Sequence, residues 1–385
     1  MMAIAAGAAA WNVGLLDEPG SRARLETPAL VLDRDAFEAN IARLAARTRA
    51  DGLGLRPHAK THKCAEIGRR QIAAGALGLA CAKPGEVAAL FEHGITDLML
   101  TAPVASPRKI DALARIAARG AHLSVVFDRA DLVEAFGAAA RRHGSAVDVL
   151  VDLDVGLART GVGSADEAVA LARAVAACEG LRFAGVQAYA GRVQHVHGFA
   201  ERRAANEAAM RPLAATLSAL AVADLAPRIV SGGGTGSFAL DAGPGLLTEL
   251  QAGSYIFMDE GYAPVDLEGG GHGPFAFSLF VAVSVIAHSS RGYAITDGGS
   301  KSFALDGPPP RVYRSGREIG LLEWCGDEFG RVLPHPGETH PPIGTVLECT
   351  VPHCDPTVNL HEVYHVVSGD CLLDLWPVTA RGRAD

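Results

Sequence analysis

Between residues 28 and about 260, short apolar runs alternate with Ala-rich stretches in which apolar residues recur every three or four positions. No other feature restricts the fold as much. The runs at 53–57, 77–81, 97–101, 122–126, 148–152, 183–188, 228–231 and 254–258 read as strands. Stretches such as 64–74, 84–93, 107–118, 129–143, 165–178 and 200–221 read as helices. A strand followed by a helix, repeated, returns the chain to the same edge each time, so the strands run parallel. Eight such units favour an α/β fold of the closed (β/α)8, TIM-like barrel kind over an open doubly wound sheet. The run Pro28–Leu32 precedes the first unit and is free to pair elsewhere.

Composition changes at Glu268-Gly269-Gly270-Gly271-His272-Gly273-Pro274. Beyond it, alternating β-branched runs at 277–286, 292–297, 344–351 and 363–376 are separated by turns rich in Gly and Pro, with no long helical period. That pattern predicts a C-terminal antiparallel β-domain. The expected division is a barrel over residues 26–270 and a β-domain over 271–385, joined by residues 1–25. With 385 residues, 49% of them hydrophobic, the chain can bury a large core or two. A formal charge of −8 argues against nucleic acid as a partner, because phosphate backbones call for a basic face. No apolar run has the length of a membrane-spanning helix. The Ala-rich stretch Met1–Ala10 has no basic residue before it, so a frayed or helical lead-in is expected there instead of a signal peptide. Seven cysteines, odd in number and without a C-x-x-C pair, fit reduced thiols in a cytoplasm.

Polar residues gather where the predicted strands end. In Arg56-Pro57-His58-Ala59-Lys60-Thr61-His62-Lys63, Lys60 stands where the first strand gives way to a helix, the place where parallel α/β folds keep their chemistry. A lysine attacks carbonyls when desolvation or a neighbouring cation lowers its pKa. Arg56, Lys63 and protonated His58 or His62 are candidates for that positive field. Spacing alone, however, favours a solvated basic loop. Arg159 lies just past the fifth strand and Tyr189 ends the sixth. Ser231-Gly232-Gly233-Gly234-Thr235-Gly236 follows the seventh, and Gln251-Ala252-Gly253-Ser254-Tyr255 lies beside the eighth. All these positions fall on one face of the predicted barrel. Backbone N–H groups after a late barrel strand commonly cradle phosphate, so Gly233, Gly234 and Thr235 with Gly253, Ser254 and Tyr255 form a candidate cup. Histidine is a natural general base, so His195, in Gln194-His195-Val196-His197, is a candidate base, a structural hydrogen-bonding role being the other reading.

A second constellation is Pro352-His353-Cys354-Asp355-Pro356. In an extended chain residues two apart share a side, so His353 and Asp355 could share one metal ion while Cys354 faces away. The flanking prolines would restrict that geometry. Two protein donors with water completing the shell suit an exchangeable Mn2+, Mg2+ or Zn2+. A lone His-x-Asp is also an ordinary structural pattern.

The segment Pro57–Lys63 resembles the cofactor-lysine motif of the D-threonine aldolase and D-serine dehydratase family, whose barrel is of the alanine racemase N-terminal type. The similarity extends from Pro28 to about Trp376. It implies that Lys60 carries pyridoxal 5′-phosphate as a Schiff base. It further implies that Arg159, within a segment similar to the Asp-x-Gly-x-x-Arg-x-Gly pattern, lies near the cofactor's phenolic oxygen, and that Tyr189 stacks beneath the pyridine ring. Gln251 stands where racemases keep an arginine on the pyridine nitrogen, a departure that counts against racemisation. The 352–360 segment looks like the metal segment of D-threonine aldolases, which pair His with Asp. D-Serine dehydratases pair His with a Cys two residues on, whereas Cys354 comes one place earlier. Phe329 stands where the family often has a histidine.

The implied activity is cleavage of a D-3-hydroxy-α-amino acid to glycine and an aldehyde, dependent on pyridoxal phosphate and a divalent metal. The alternative is a D-serine, D-threonine or 3-hydroxyaspartate dehydratase. A racemase and a non-catalytic vitamin B6 carrier stand further back. The resemblance also implies a homodimer in which a β-domain covers the barrel mouth.

Overall fold

The computed structural model describes residues 8–271 and 273–385; the expectation for Met1–Ala10 therefore falls largely outside the described residues. Eight parallel strands form one sheet: Gly54–Leu55, Leu79–Cys81, Asp97–Leu100, His122–Phe127, Val147–Asp152, Leu181–Ala188, Ile229–Gly232 and Glu249–Leu250. Neighbours in sequence are neighbours in the sheet. The ring closes between the first two strands, where Leu77 N donates to Leu55 O, Ala80 N donates to Pro57 O, and His58 bridges Ala80. The barrel reading of the alternating pattern is the observed architecture.

Burial explains the pattern. Strands such as His122–Phe127 and Val147–Asp152 are covered on both faces, inside by the barrel core and outside by helices, so they read as continuous apolar runs. The helices return on their apolar faces. Ile110, Leu113 and Ala114 of Pro107–Ala118 and Leu132, Phe136 and Ala140 of Asp131–His143 are buried against the sheet. The helix Arg34–Ala50, capped by Asp33 accepting from Ala36 N, packs against the first strand and against the turn Ser254–Ile256. There Asn40 Nδ2 donates to Ile256 O and Ala276 O.

The expected eighth strand at 254–258 is corrected. The strand is Glu249–Leu250, and Ser254–Ile256 is a buried 3-10 turn. Tyr255, Ile256 and Phe257 are fully buried, and a short apolar run reads alike whether it buries as strand or as turn.

The second sheet has nine strands. Leu279–His288, Ala294–Thr296, Gly330–Pro334, Arg317–Trp324, Arg311–Arg314 and Val346–Thr350 close on themselves through antiparallel pairs. The run at 28–32 does pair elsewhere: Ala29–Asp33 joins this sheet, antiparallel to Leu279–His288 and parallel to Val363–Ser368. The run read as 363–376 is two strands, Val363–Ser368 and Cys371–Pro377, reversing at Gly369 with its left-handed φ of +57°. Residues 311–334 hold strands that the pattern did not reveal, because Arg and Glu break the apolar residues there into short runs. Residues 16–22 pack on this sheet, with Asp17 N bonded to Leu372 O and Arg22 paired with Glu348.

Candidate active site

Lys60 lies on a 3-10 turn, Ala59–Thr61, that leaves the first barrel strand. Pro57 keeps the preceding chain extended, and His58 caps the turn by accepting from Lys60 N. Tyr364 of the second sheet donates its hydroxyl to His62 O at 2.7 Å, so both sheets hold this loop. The Lys60 side chain enters a cavity of about 290 Å³ at the C-terminal ends of the strands.

The positive field expected around Lys60 is not there. Arg56 is buried between Glu249 and Asp97, Lys63 is paired with Glu86, and burial pushes the imidazoles of His58 and His62 down to about 3, leaving them neutral. Instead Asp355 Oδ2 lies 3.0 Å from Lys60 Nζ and holds the ammonium well above the ordinary lysine range. Burial pushes the Asp355 carboxyl up, but Lys60 and then His353 outweigh it and hold it down at about 2.

The barrel candidates converge. Arg159 and Tyr189 both line the cavity, with the guanidinium 5.7 Å from the Tyr189 ring centroid. Asp154 shapes the arginine loop by accepting from the N–H groups of Gly156, Leu157 and Ala158 through one oxygen. Gly234, Thr235, Gly253 and Ser254 also line the cavity. A Cβ on Gly253 would stand 2.4 Å from Thr61 Oγ1, so this turn packs closely on the lysine loop. Among the described residues the backbone N–H groups of Thr235 and Ser254 have no protein acceptor. Free N–H donors beside a lysine amine suit a phosphorylated carbonyl compound such as pyridoxal phosphate.

Gln251 is oriented from below. Glu249 Oε1 accepts from Arg56 Nε at 2.9 Å and from Ser231 Oγ at 2.7 Å. The Ser231 proton is thereby used, so Ser231 Oγ accepts from Gln251 Nε2 at 2.8 Å. The other amide N–H goes to Gln187 Oε1, whose own amide donates to Asp152 and to Thr101 O. Gln251 therefore offers the cavity an acceptor oxygen.

Five candidates do not line the cavity: His353 and Asp355, and three from the barrel. Gly233 is a turn residue with φ +67°, behind the wall. Tyr255 is fully buried, its hydroxyl accepting from Gln71, and touches the wall only through its N–H on Thr235 Oγ1. His195 is exposed at the rim, its ring 4.4 Å from that of Tyr262, which does line the cavity.

The extended geometry expected for the 353–355 segment is also corrected. His353 caps a helix, Cys354–Leu360, and Asp355 sits in its first turn. The helix start brings Asp355 to Lys60. His353 Nδ1 meets Asp306 Oδ2 at 2.8 Å, so a proton on Nδ1 frees Nε2 as a lone-pair donor. Cys354 is buried with its N–H on Asp259 Oδ2. The described residues gather no group of three or more His, Cys, Asp or Glu suited to a metal, so any cation here would rest on two protein donors. Phe329 is 43% exposed. Tyr262, Gln187, Asp259 and Asp306 carry no motif, and only the fold brings them to the site.

Similarity to known proteins agrees with this geometry. The alanine racemase N-terminal domain model matches residues 32–261, and a serine dehydratase domain model matches residues 278–367. The chain is 40% identical to D-threonine aldolase of Arthrobacter sp over 369 residues, covering 95% of each chain. It is 37% identical to 3-hydroxy-D-aspartate aldolase of Paracoccus denitrificans over 370 residues, again 95% of each. The crystal structure of D-threonine aldolase from Filomicrobium marinum superposes with a TM-score of 0.90 at 38% identity, covering 94% of this chain and 97% of that one. The chain belongs to the D-threonine aldolase and D-serine dehydratase family of alanine racemase-like proteins.

Proposed function

We propose that this protein is a pyridoxal phosphate-dependent carbon–carbon lyase that cleaves D-3-hydroxy-α-amino acids to glycine and an aldehyde. One observation carries the reading: the lysine motif of the barrel and the His–Asp segment that follows strand Val346–Thr350 meet, with Lys60 Nζ 3.0 Å from Asp355 Oδ2. Lys60 would hold the cofactor covalently, Thr235 and Ser254 would receive its phosphate, and Arg159 and Tyr189 would flank its ring. Gln251 Oε1 would accept a proton-bearing ring nitrogen, the opposite of what an arginine does. His353 Nε2 and Asp355 would hold a divalent cation, Mn2+, Mg2+ or Zn2+. When bound, the cofactor supplies an electron sink for the pair left on Cα, and the cation acidifies the β-hydroxyl.

The remaining work falls to the chain. In the cofactor-free chain Asp355 pairs with the Lys60 ammonium; once Lys60 holds the cofactor that carboxylate is released for the cation, and His195 at the rim takes the hydroxyl proton. The dehydratase alternative calls for a thiol two residues after His353, where this chain has Asp355, and the Cys354 thiol is buried. We further infer a homodimer, because the cavity mouth and His195 are open to water in one chain and carbanion chemistry requires water to be excluded. The charge of −8 supports small-molecule work away from nucleic acid, and no helix among the described residues is long and apolar enough to cross a membrane. The seven free cysteines support a cytoplasmic setting. Incubation of D-threonine with the protein, cofactor and Mn2+ tests the reading. Acetaldehyde and glycine are expected; 2-oxobutyrate without acetaldehyde would make it a dehydratase, and L-threonine a racemase.

A further inference from the structure

The glycines at 232–236 look like a phosphate loop, yet two of them are required by what lies behind the loop. A Cβ on Gly234 would stand 2.4 Å from Gln194 Oε1, and one on Gly236 would stand 2.0 Å from Gln194 O. Gln194 thus docks against the back of the loop. Its Oε1 accepts from Gly236 N at 2.8 Å, and its Nε2 donates to Ser237 Oγ at 3.0 Å. Ser237 Oγ also accepts from Gly234 N at 3.1 Å, so both its lone pairs are used. Its proton goes to Asp241 Oδ2 at 2.8 Å. Gln194, Ser237 and Asp241 are each at most 2% exposed, and none lines the cavity.

We propose that Gln194, Ser237 and Asp241 are positioning residues for the phosphate cup, and that they also tie it to the segment bearing His195. They take the N–H groups of Gly234 and Gly236 from behind, which leaves that of Thr235, between them, for a ligand in front. Every direction in the chain of bonds is set by the one before it. The loop is therefore held in its binding form before phosphate arrives, and preorganised donors favour an anion because no reorganisation cost remains. Burial pushes the Asp241 carboxyl up to about 7, so less than a full negative charge stands behind the cup near neutrality. The inference rests on the pyridoxal phosphate reading above.

The test compares pyridoxal 5′-phosphate with pyridoxal, which lacks the phosphate, on the full chain stripped of cofactor with hydroxylamine. Binding is followed by absorbance, with inorganic phosphate as competitor. Ser237→Ala removes the acceptor for two N–H groups and the donor to Asp241. It should weaken pyridoxal phosphate by about tenfold to a hundredfold, the scale of one hydrogen bond to a charged group, with pyridoxal affinity unchanged. Asp241→Asn keeps an oxygen for Ser237 and should retain phosphate affinity within about twofold. Equal weakening of both ligands in Ser237→Ala, or of neither, overturns the proposal, as does an Asp241→Asn variant as weak as Ser237→Ala. If the wild-type chain takes up no pyridoxal phosphate, the parent reading falls and this one with it.

Discussion

Replacing Asp355 by Asn in cofactor-free, chelated protein tests the contact that joins the two halves of the site. Asn has the shape of a protonated carboxyl, so the relevant quantity is how far the native fold displaces the carboxyl from its ordinary behaviour. Holding it at about 2 in place of 3.8 corresponds to about 2.4 kcal/mol. The Lys60 side chain is 43% exposed, so water screens the pair and about half of that, roughly 1 kcal/mol, is expected in urea unfolding at pH 7. The pKa is depressed in the fold, so this stability is fully present above the unfolded value near 3.8 and is lost as pH falls through about 2. The difference between wild type and Asp355→Asn should then be constant from pH 5 to 8 and should close below pH 4. Equal stabilities at neutral pH, or a gap that widens in acid, would refute the pairing. The loaded variant should also lose aldehyde release.

Borohydride reduction of the loaded protein should fix the cofactor to one peptide containing Lys60, and Lys60→Ala should abolish the label; a label on Lys63, Lys83 or Lys301 contradicts the assignment. His195→Ala should slow cleavage by roughly the hundred- to ten-thousandfold of a lost general base while leaving cofactor affinity unchanged. Full activity in that variant would remove His195 from the mechanism. Acid should destabilise the fold. Burial pushes His58 and His62 down to about 3 and His361 and His365 down to about 4, so from pH 6.5 downward the unfolded chain takes up protons that the folded one refuses. Each costs about 2 kcal/mol between pH 8 and 5. Asp152, Asp241 and Asp259, raised by burial, work the other way and offset part of that loss. An unchanged urea midpoint between pH 8 and 5 would contradict it.

Sequence alone determined the barrel and placed Lys60 where its first strand ends. Strands buried on both faces must be apolar throughout and helices must bury one side, so period and order are written locally, and Pro57–Lys63 needs no distant residue to be recognised. The cavity-lining roles of Arg159, Tyr189, Thr235 and Gln251 were legible for the same reason, as residues at strand ends share one face of a closed barrel. Tertiary structure decided the electrostatics. Whether Lys60 meets cations or a carboxylate depends on where Arg56 and Lys63 find partners and on a helix start 295 residues away, and no periodicity carries that. It also decided that Ser254–Ile256 buries as a turn, that His353 and Asp355 lie at a helix start and not along a strand, and which way the Gln251 amide points. Such outcomes depend on pairing between segments far apart in the chain, where each polar group takes whatever partner the fold brings within about 3 Å.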